Sequence, residues 1–307
     1  MKEIEEQLDK IPVVNHLVKF AQKIKLPWLQ GLSLYDLLEL YVLGIVKGAF
    51  SYRAGAIAFS FFMALFPFAL FILNLIPFIP IEGFQDDFLK FVEEGVPPNT
   101  FEAIRSIIDD ILNNSYRGLI SWGFILSIFL MSNGMNAILG GFETSYHISI
   151  NRGFFRQYFI AVAMSLILSL VLIITVAAVV VSEVVIQKIQ LSDYLTGNIS
   201  LIEITRYSFV SLMVLITTSL LFKFGTRETY GVSFISIGSV FTTLLVLFSS
   251  YLFGIYVIKF AKYNELYGSI GTLLILMFYI WINCMILLLG FELNATISKL
   301  KRKNLYQ

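Results

Sequence analysis

Charge is scarce in this 307-residue chain: Asp, Glu, Lys and Arg supply 14% of it and hydrophobic residues 57%, with a mean hydropathy of +0.80. Soluble domains carry about 25% charged residues. So little charge cannot cover a water-exposed globule of this size, which excludes an ordinary soluble enzyme and a disordered chain alike. Cysteine is nearly missing as well. Cys284 stands alone, so no disulfide scaffold forms within the chain. The two histidines, His16 and His147, lie far apart, and no spacing of Cys, His and carboxylate resembles a metal site. Glycine is spread without a phosphate-cradling run, and no serine stands in a nucleophile elbow. No enzyme activity and no cofactor are therefore expected. A net charge of +1 offers no general attraction to nucleic acid, which is not expected as a partner.

Long apolar runs are abundant. About 20 apolar residues in helical form cross the ~30 Å hydrocarbon core. Six stretches meet that length, over about 56–79, 119–142, 158–185, 207–224, 232–258 and 269–296. Helices are required because lipid cannot satisfy exposed backbone groups. The expected fold class is an all-α integral membrane protein, a six-transmembrane-helix bundle. The expected organisation is a cytoplasmic or interfacial part over 1–55, a membrane domain over 56–299 and a basic tail over 300–307.

Sorting Lys and Arg by side of these spans puts fifteen with the two termini and seven opposite. The positive-inside rule then predicts that both termini are cytoplasmic in a bacterial inner membrane. No cleavable signal peptide is expected, since charge interrupts the first thirty residues throughout. Ile11, Val14, Leu17, Val18, Ala21 and Ile24 fall near helical spacing among Lys10, Lys19, Lys23 and Lys25. That pattern suits a helix on anionic inner-leaflet lipid, and equally a cytosolic helix packed on the protein. A second helix is predicted from Ser33, whose spacing to Asp36 is that of a capping box, to about Phe50. Gly44 and Gly48 form a GxxxG that permits close helix contact.

The connection over 80–118 holds eight acids and is predicted to lie outside the cell. Asn99 or Thr100 can cap a helix whose stripe of Ile104, Ile107, Ile108, Ile111 and Leu112 needs a surface, such as that of Phe84, Phe88, Phe91 and Val92. The result is a small helical cap over the external mouth.

Several motifs resemble those of one family. The first span carries Ala56-Ile-Ala-Phe-Ser-Phe-Phe-Met-Ala-Leu-Phe-Pro67. The second ends in a polar run, Ser132 to Tyr146, followed by Arg152. The sixth opens on Tyr267-Gly-Ser-Ile-Gly271 and ends on Gly290-Phe-Glu-Leu-Asn294. In order and spacing this resembles the YihY or BrkB family of bacterial inner-membrane proteins, named partly for a serum-resistance factor, over nearly the whole chain. The connection Phe224-Gly-Thr-Arg227 departs from the family pattern by lacking a proline. The resemblance implies a six-span inner-membrane fold. Transport has been suggested for the family, and some members bear a ribonuclease label.

Ionisable groups within a bilayer are costly and mark candidate sites. Arg53, Glu143, Arg152 and Glu292 all fall near the inner ends of spans. Two readings are open: a polar path between spans 1, 2 and 6, in which Asn133, Asn136 and Asn294 hydrogen-bond a cargo, or a structural ion-pair cluster. Pro67 is read as a helix kink, static or used in gating. The leading functional expectation is movement of a small polar or amphiphilic solute, or of lipid. The alternatives are a non-transporting scaffold or envelope-integrity factor and, third, a membrane-bound hydrolase.

Overall fold

The computed structural model describes residues 22–25, 33–75, 120–145, 147–148, 152–190, 199–227, 233–260 and 269–305, together with 86, 89–90 and 93. Among them run seven helices: α1 Leu34–Lys47, α2 Phe50–Leu75, α3 Ile120–Glu143, α4 Phe154–Gln190, α5 Ile199–Phe224, α6 Ile237–Phe260 and α7 Ser269–Leu305. Six of them, α2 to α7, contain stretches long and apolar enough to cross a membrane. Among the described residues the regular elements are thus all helices, six of them candidate spans, as the hydropathy predicts. The expected helix over 11–24 lies outside the described residues except for 22–24, and so does nearly all of the external cap.

Local chemistry sets the helix ends. The Ser33 hydroxyl accepts from the Asp36 amide while the Asp36 carboxylate accepts from the Ser33 amide, the capping box read from the sequence. α1 stops at Gly48. The next residue, Ala49, has a φ of 48°, which turns the chain directly into α2. That conformation costs an L-residue on the order of 1 kcal/mol. The first spanning helix therefore begins at Phe50, six residues before the predicted boundary at Ala56. Arg53 lies inside it rather than before it. Pro67 stands within α2, which continues unbroken through Leu75.

Each span packs on the next in chain order, and α7 returns to pack on α2, so the six helices form a closed ring. α1 lies across one end, against α7 and α2. The outward face is apolar. Phe59, Met63 and Phe66 on α2, and Leu244, Phe248 and Tyr251 on α6, are exposed at helical spacing where lipid would cover them. Small residues bring the helices together. A Cβ on Gly134 of α3 would stand 2.7 Å from the Ala64 Cβ of α2, and one on Gly141 would stand 2.5 Å from Ile57. The polar, glycine-bearing stretch of the second span is therefore a tight crossing. At the end away from α1, Phe71, Ile72, Met131 and Val180 form a small cluster on which Leu89 of the acidic connection packs.

Candidate functional site

The end of the ring that carries α1 holds a layer of buried polar side chains. Glu292 on α7 is wholly buried, and its carboxylate accepts from the Arg53 Nη1 of α2 at 2.7 Å and from the Ser145 hydroxyl at 2.8 Å. The rest of the Arg53 guanidinium donates to carbonyls that end helices: Nε and Nη2 reach Gly141 O at 2.9 and 2.6 Å, and Nη1 reaches Gly48 O at 3.3 Å. Arg152 repeats the arrangement. Nη1 and Nη2 donate to Gly225 O, just past the end of α5, and to Phe224 O, the last of that helix, at 2.9 and 2.8 Å, while the Glu143 carboxylate lies 3.9 Å from Nε. A helix C-terminus leaves carbonyls unpaired and carries partial negative charge, and a guanidinium meets both needs.

Asn294 serves the opposite kind of terminus. Its Oδ1 accepts from the Gly238 amide at 2.9 Å in the first turn of α6, while Nδ2 donates to the Ser236 hydroxyl at 2.7 Å. Ser236 in turn caps the Ser239 amide. One turn of α7 thus closes against α6 through Gly290, completes the ion pair with α2 through Glu292 and caps α6 through Asn294.

The candidate residues divide accordingly. Arg53 joins Glu292, Arg152 joins Glu143, and Asn294 joins α6, all buried and paired in the manner of the structural ion-pair reading. Asn133 is exposed on the outer face of α3, with its Oδ1 3.5 Å from the Tyr158 hydroxyl. Asn136 is half-buried. Neither asparagine lines the interior cavity.

Sequence reasoning missed His147 and Tyr41. His147 is buried between α1 and α7, with Nε2 3.0 Å from Leu40 O and Nδ1 3.5 Å from Lys299 Nζ. A carbonyl only accepts, so Nε2 carries the proton and Nδ1 accepts from Lys299. A Cβ on Gly44 would reach within 2.6 Å of that ring, so the first glycine of the GxxxG makes room for a histidine of the same chain. The Tyr41 hydroxyl donates to Leu289 O at 3.2 Å, and burial, with the charge of Glu292 second, pushes it up to about 12.

Burial also holds His147 below its ordinary value. Lys299 acts in the same direction, and Glu292 and the Leu40 bond oppose them. A histidine kept neutral in the fold takes up a proton more readily once released, so docking of α1 is strongest above the free value of about 6.5 and weakens as pH falls below it. The protection of α1 amides, taken relative to the intrinsic exchange rate at each pH, is expected to fall as pH drops from about 7.5 to 5.5, and His147→Gln to lose that fall. An α1 equally protected at both pH values would contradict this.

Inside the ring, above this layer, lies a cavity of about 410 Å³ lined by residues of all six spans. Its floor is aromatic. Ile138 and Leu287 belong to the cavity wall, and one turn further toward α1 the Phe142 and Phe291 rings stack at 4.2 Å with 8° between their planes. Phe222 meets both edge-on, at 5.8 and 6.0 Å. The cavity is thus closed at one end first by three buried rings and then by the ionic layer.

Among the described residues, no group of three or more His, Cys, Asp or Glu side chains could hold a metal ion. The pattern of the family described as Virulence factor BrkB matches residues 44–306. The chain is 30% identical over 254 residues to the ribonuclease-like protein YfkH of Bacillus subtilis, covering 81% of this chain and 90% of the relative. It is 21% identical over 252 residues to a UPF0761 membrane protein of Coxiella burnetii, covering 81% and 88%. No solved structure matches it. With six apolar helices in a ring and a match spanning all of them, this chain belongs to the virulence factor BrkB family of multi-pass membrane proteins.

Proposed function

We propose that the protein moves an amphiphile across the bacterial cytoplasmic membrane without changing its bonds, holding both termini inside and its basic N-terminal region on anionic inner-leaflet lipid. The observation that carries this reading is the cavity ringed by all six spans and shut at the α1 end. Its apolar walls suit a tail rather than a small polar solute, so the polar layer at the α1 end is read as a closure and not as a path. The charge count supports the orientation, which a tag between Glu94 and Thr100, reachable only from outside, would test. The ribonuclease-like wording of the Bacillus relative is not extended to this chain, because its buried charges are spent on helix ends and on each other.

In vesicles holding the purified full chain, headgroup-labelled phospholipid is expected to cross faster than in protein-free vesicles. If anionic, zwitterionic and uncharged headgroups all cross no faster, the reading fails. A non-transporting scaffold is the second reading. The complete pairing of Arg53, Glu292, Glu143 and Arg152 favours it, since such a layer also serves a ring that never opens.

A further inference from the structure

Two polar side chains sit about one turn apart on α3 where lipid would touch them. Asn133 is exposed and Asn136 half-buried. Asn133 stands ten residues from Glu143 and nine from Phe124, the ends of the apolar stretch, so at ~1.5 Å per residue it lies near the middle of the bilayer. An asparagine is too short to reach either interface from there. Lipid tails offer its amide neither donor nor acceptor.

Elsewhere the chain shows how an asparagine in a helix of this kind is satisfied. Nδ2 of Asn74 donates to Leu70 O at 2.7 Å and that of Asn283 to Tyr279 O at 2.8 Å, each one turn back along its own helix. At Asn133 the corresponding carbonyl, Phe129 O, accepts instead from the Tyr158 hydroxyl at 3.0 Å. The same hydroxyl lies 3.5 Å from Asn133 Oδ1, and Nδ2 meets no acceptor among the described residues. Turning the amide over only exchanges which half is left unpaired. The Asn136 side chain has no hydrogen bond to any described residue. Amides in hydrocarbon are costly without a partner, and here the partner must come from outside the ring.

The surroundings select that partner. Toward the end away from α1 the same face of α3 is large and apolar, with Ile125, Leu126, Phe129 and Leu130 exposed. Those residues suit lipid tails and give a polar headgroup no route onward from Asn133. Toward α1 the face turns small, through Ala137 and Gly140, beside an outward groove of about 580 Å³ that also takes in Ala56 and Ser60 of α2. A Cβ on Gly140 would meet nothing nearer than Gln157 Nε2 at 3.4 Å, so this surface is open to the backbone of another helix. An amide both donates and accepts, and a twofold axis along the bilayer normal brings each residue to its own counterpart at its own depth. We infer that two copies of this chain pair through the α1-side half of the outer face of α3, with Asn133 exchanging hydrogen bonds with Asn133 of the second copy across the axis. This goes beyond the proposed function and stands whether or not lipid is moved.

The test reconstitutes the full chain, with one fluorophore at its C-terminus, in liposomes over a range of protein-to-lipid ratios and counts photobleaching steps per particle. The parent chain is expected to bleach in two steps and to pass to one on dilution. Asn133→Leu, a change at an exposed position that leaves the packing of the ring alone, is expected to weaken pairing about tenfold, the worth of two interhelical hydrogen bonds. A second measurement does not depend on that variant. In a Cys284→Ala background, Asn133→Cys is expected to form a disulfide between copies on oxidation, which needs Cα atoms within about 7 Å, whereas Leu244→Cys on α6 is not. One-step bleaching of the parent chain at every ratio would overturn the inference and leave the asparagines to a lipid or to another protein. Pairing that Asn133→Leu leaves unchanged would overturn it too, as would a disulfide formed at Leu244→Cys and not at Asn133→Cys.

Discussion

Glu292→Gln is expected to lower the stability of the ring by about 3–5 kcal/mol, the cost of leaving a buried charge without its partner. The Arg53 guanidinium is only 6% exposed and cannot turn to water. Its bonds to Gly141 O and Gly48 O remain, and the partial charge of the α3 terminus offsets some of the loss, so the lower half of that range is the expected result. The pair as a whole is a different matter from either member. A buried ion pair replaced by apolar side chains of similar volume is often near neutral. Arg53→Met with Glu292→Met is therefore expected to cost clearly less than the two single changes added together. Thermal unfolding of the four proteins in nanodiscs gives the coupling energy directly. A Glu292→Gln protein that melts with the parent would show that this pair does not hold α2 to α7.

Gly290→Ala is expected to be nearly as damaging, at about 1–3 kcal/mol for a single added carbon. Its Cβ would collide with the Thr242 Oγ1 of α6 and stand 2.9 Å from Gly238 O. The hydroxyl can be removed, but the carbonyl belongs to backbone and cannot yield. Thr242→Ala in the same protein is therefore expected to restore part of the loss. Alone it should be neutral or slightly stabilising, because it removes an unpaired buried hydroxyl. The same melting series reads all three. Full rescue, or no loss in Gly290→Ala, would mean that α6 and α7 are not in the close contact described.

Both predictions fall on one short segment, Gly290 to Asn294, that stood out in the sequence by its motif. Hydropathy was enough to place six helices, because a spanning segment announces itself by length and apolarity alone. The capping box at Ser33 was legible for a similar reason, since it is local and its two members are three residues apart. What could not be read was which charged residue meets which. Arg53 lies near several carboxylates in depth, and only the crossing of α2 with α7 selects Glu292 over Glu143. The glycines of α1 left the same gap, for a GxxxG permits contact without naming the partner, and here the first of the two faces His147 of the same chain. The cavity left no trace in the sequence. Its walls are mostly Leu, Met, Phe and Val with a few Ser and Thr, a mixture common in spans, and the emptiness comes from how six helices are spaced rather than from what they carry.

The return of α7 to α2 also has a meaning in time. A chain is made from its N-terminus, and each helix can pack on one already present. α2 to α6 can assemble in that way as they emerge, but Arg53 and the first turn of α6 must wait for Glu292 and Asn294, which are translated last among the spans. Until then the membrane holds an open arc in which Arg53 lacks its carboxylate and the Gly238 amide lacks its acceptor. The final helix therefore acts as a keystone, and a ribosome that stops short of it leaves an open assembly in which Arg53 has no carboxylate to meet.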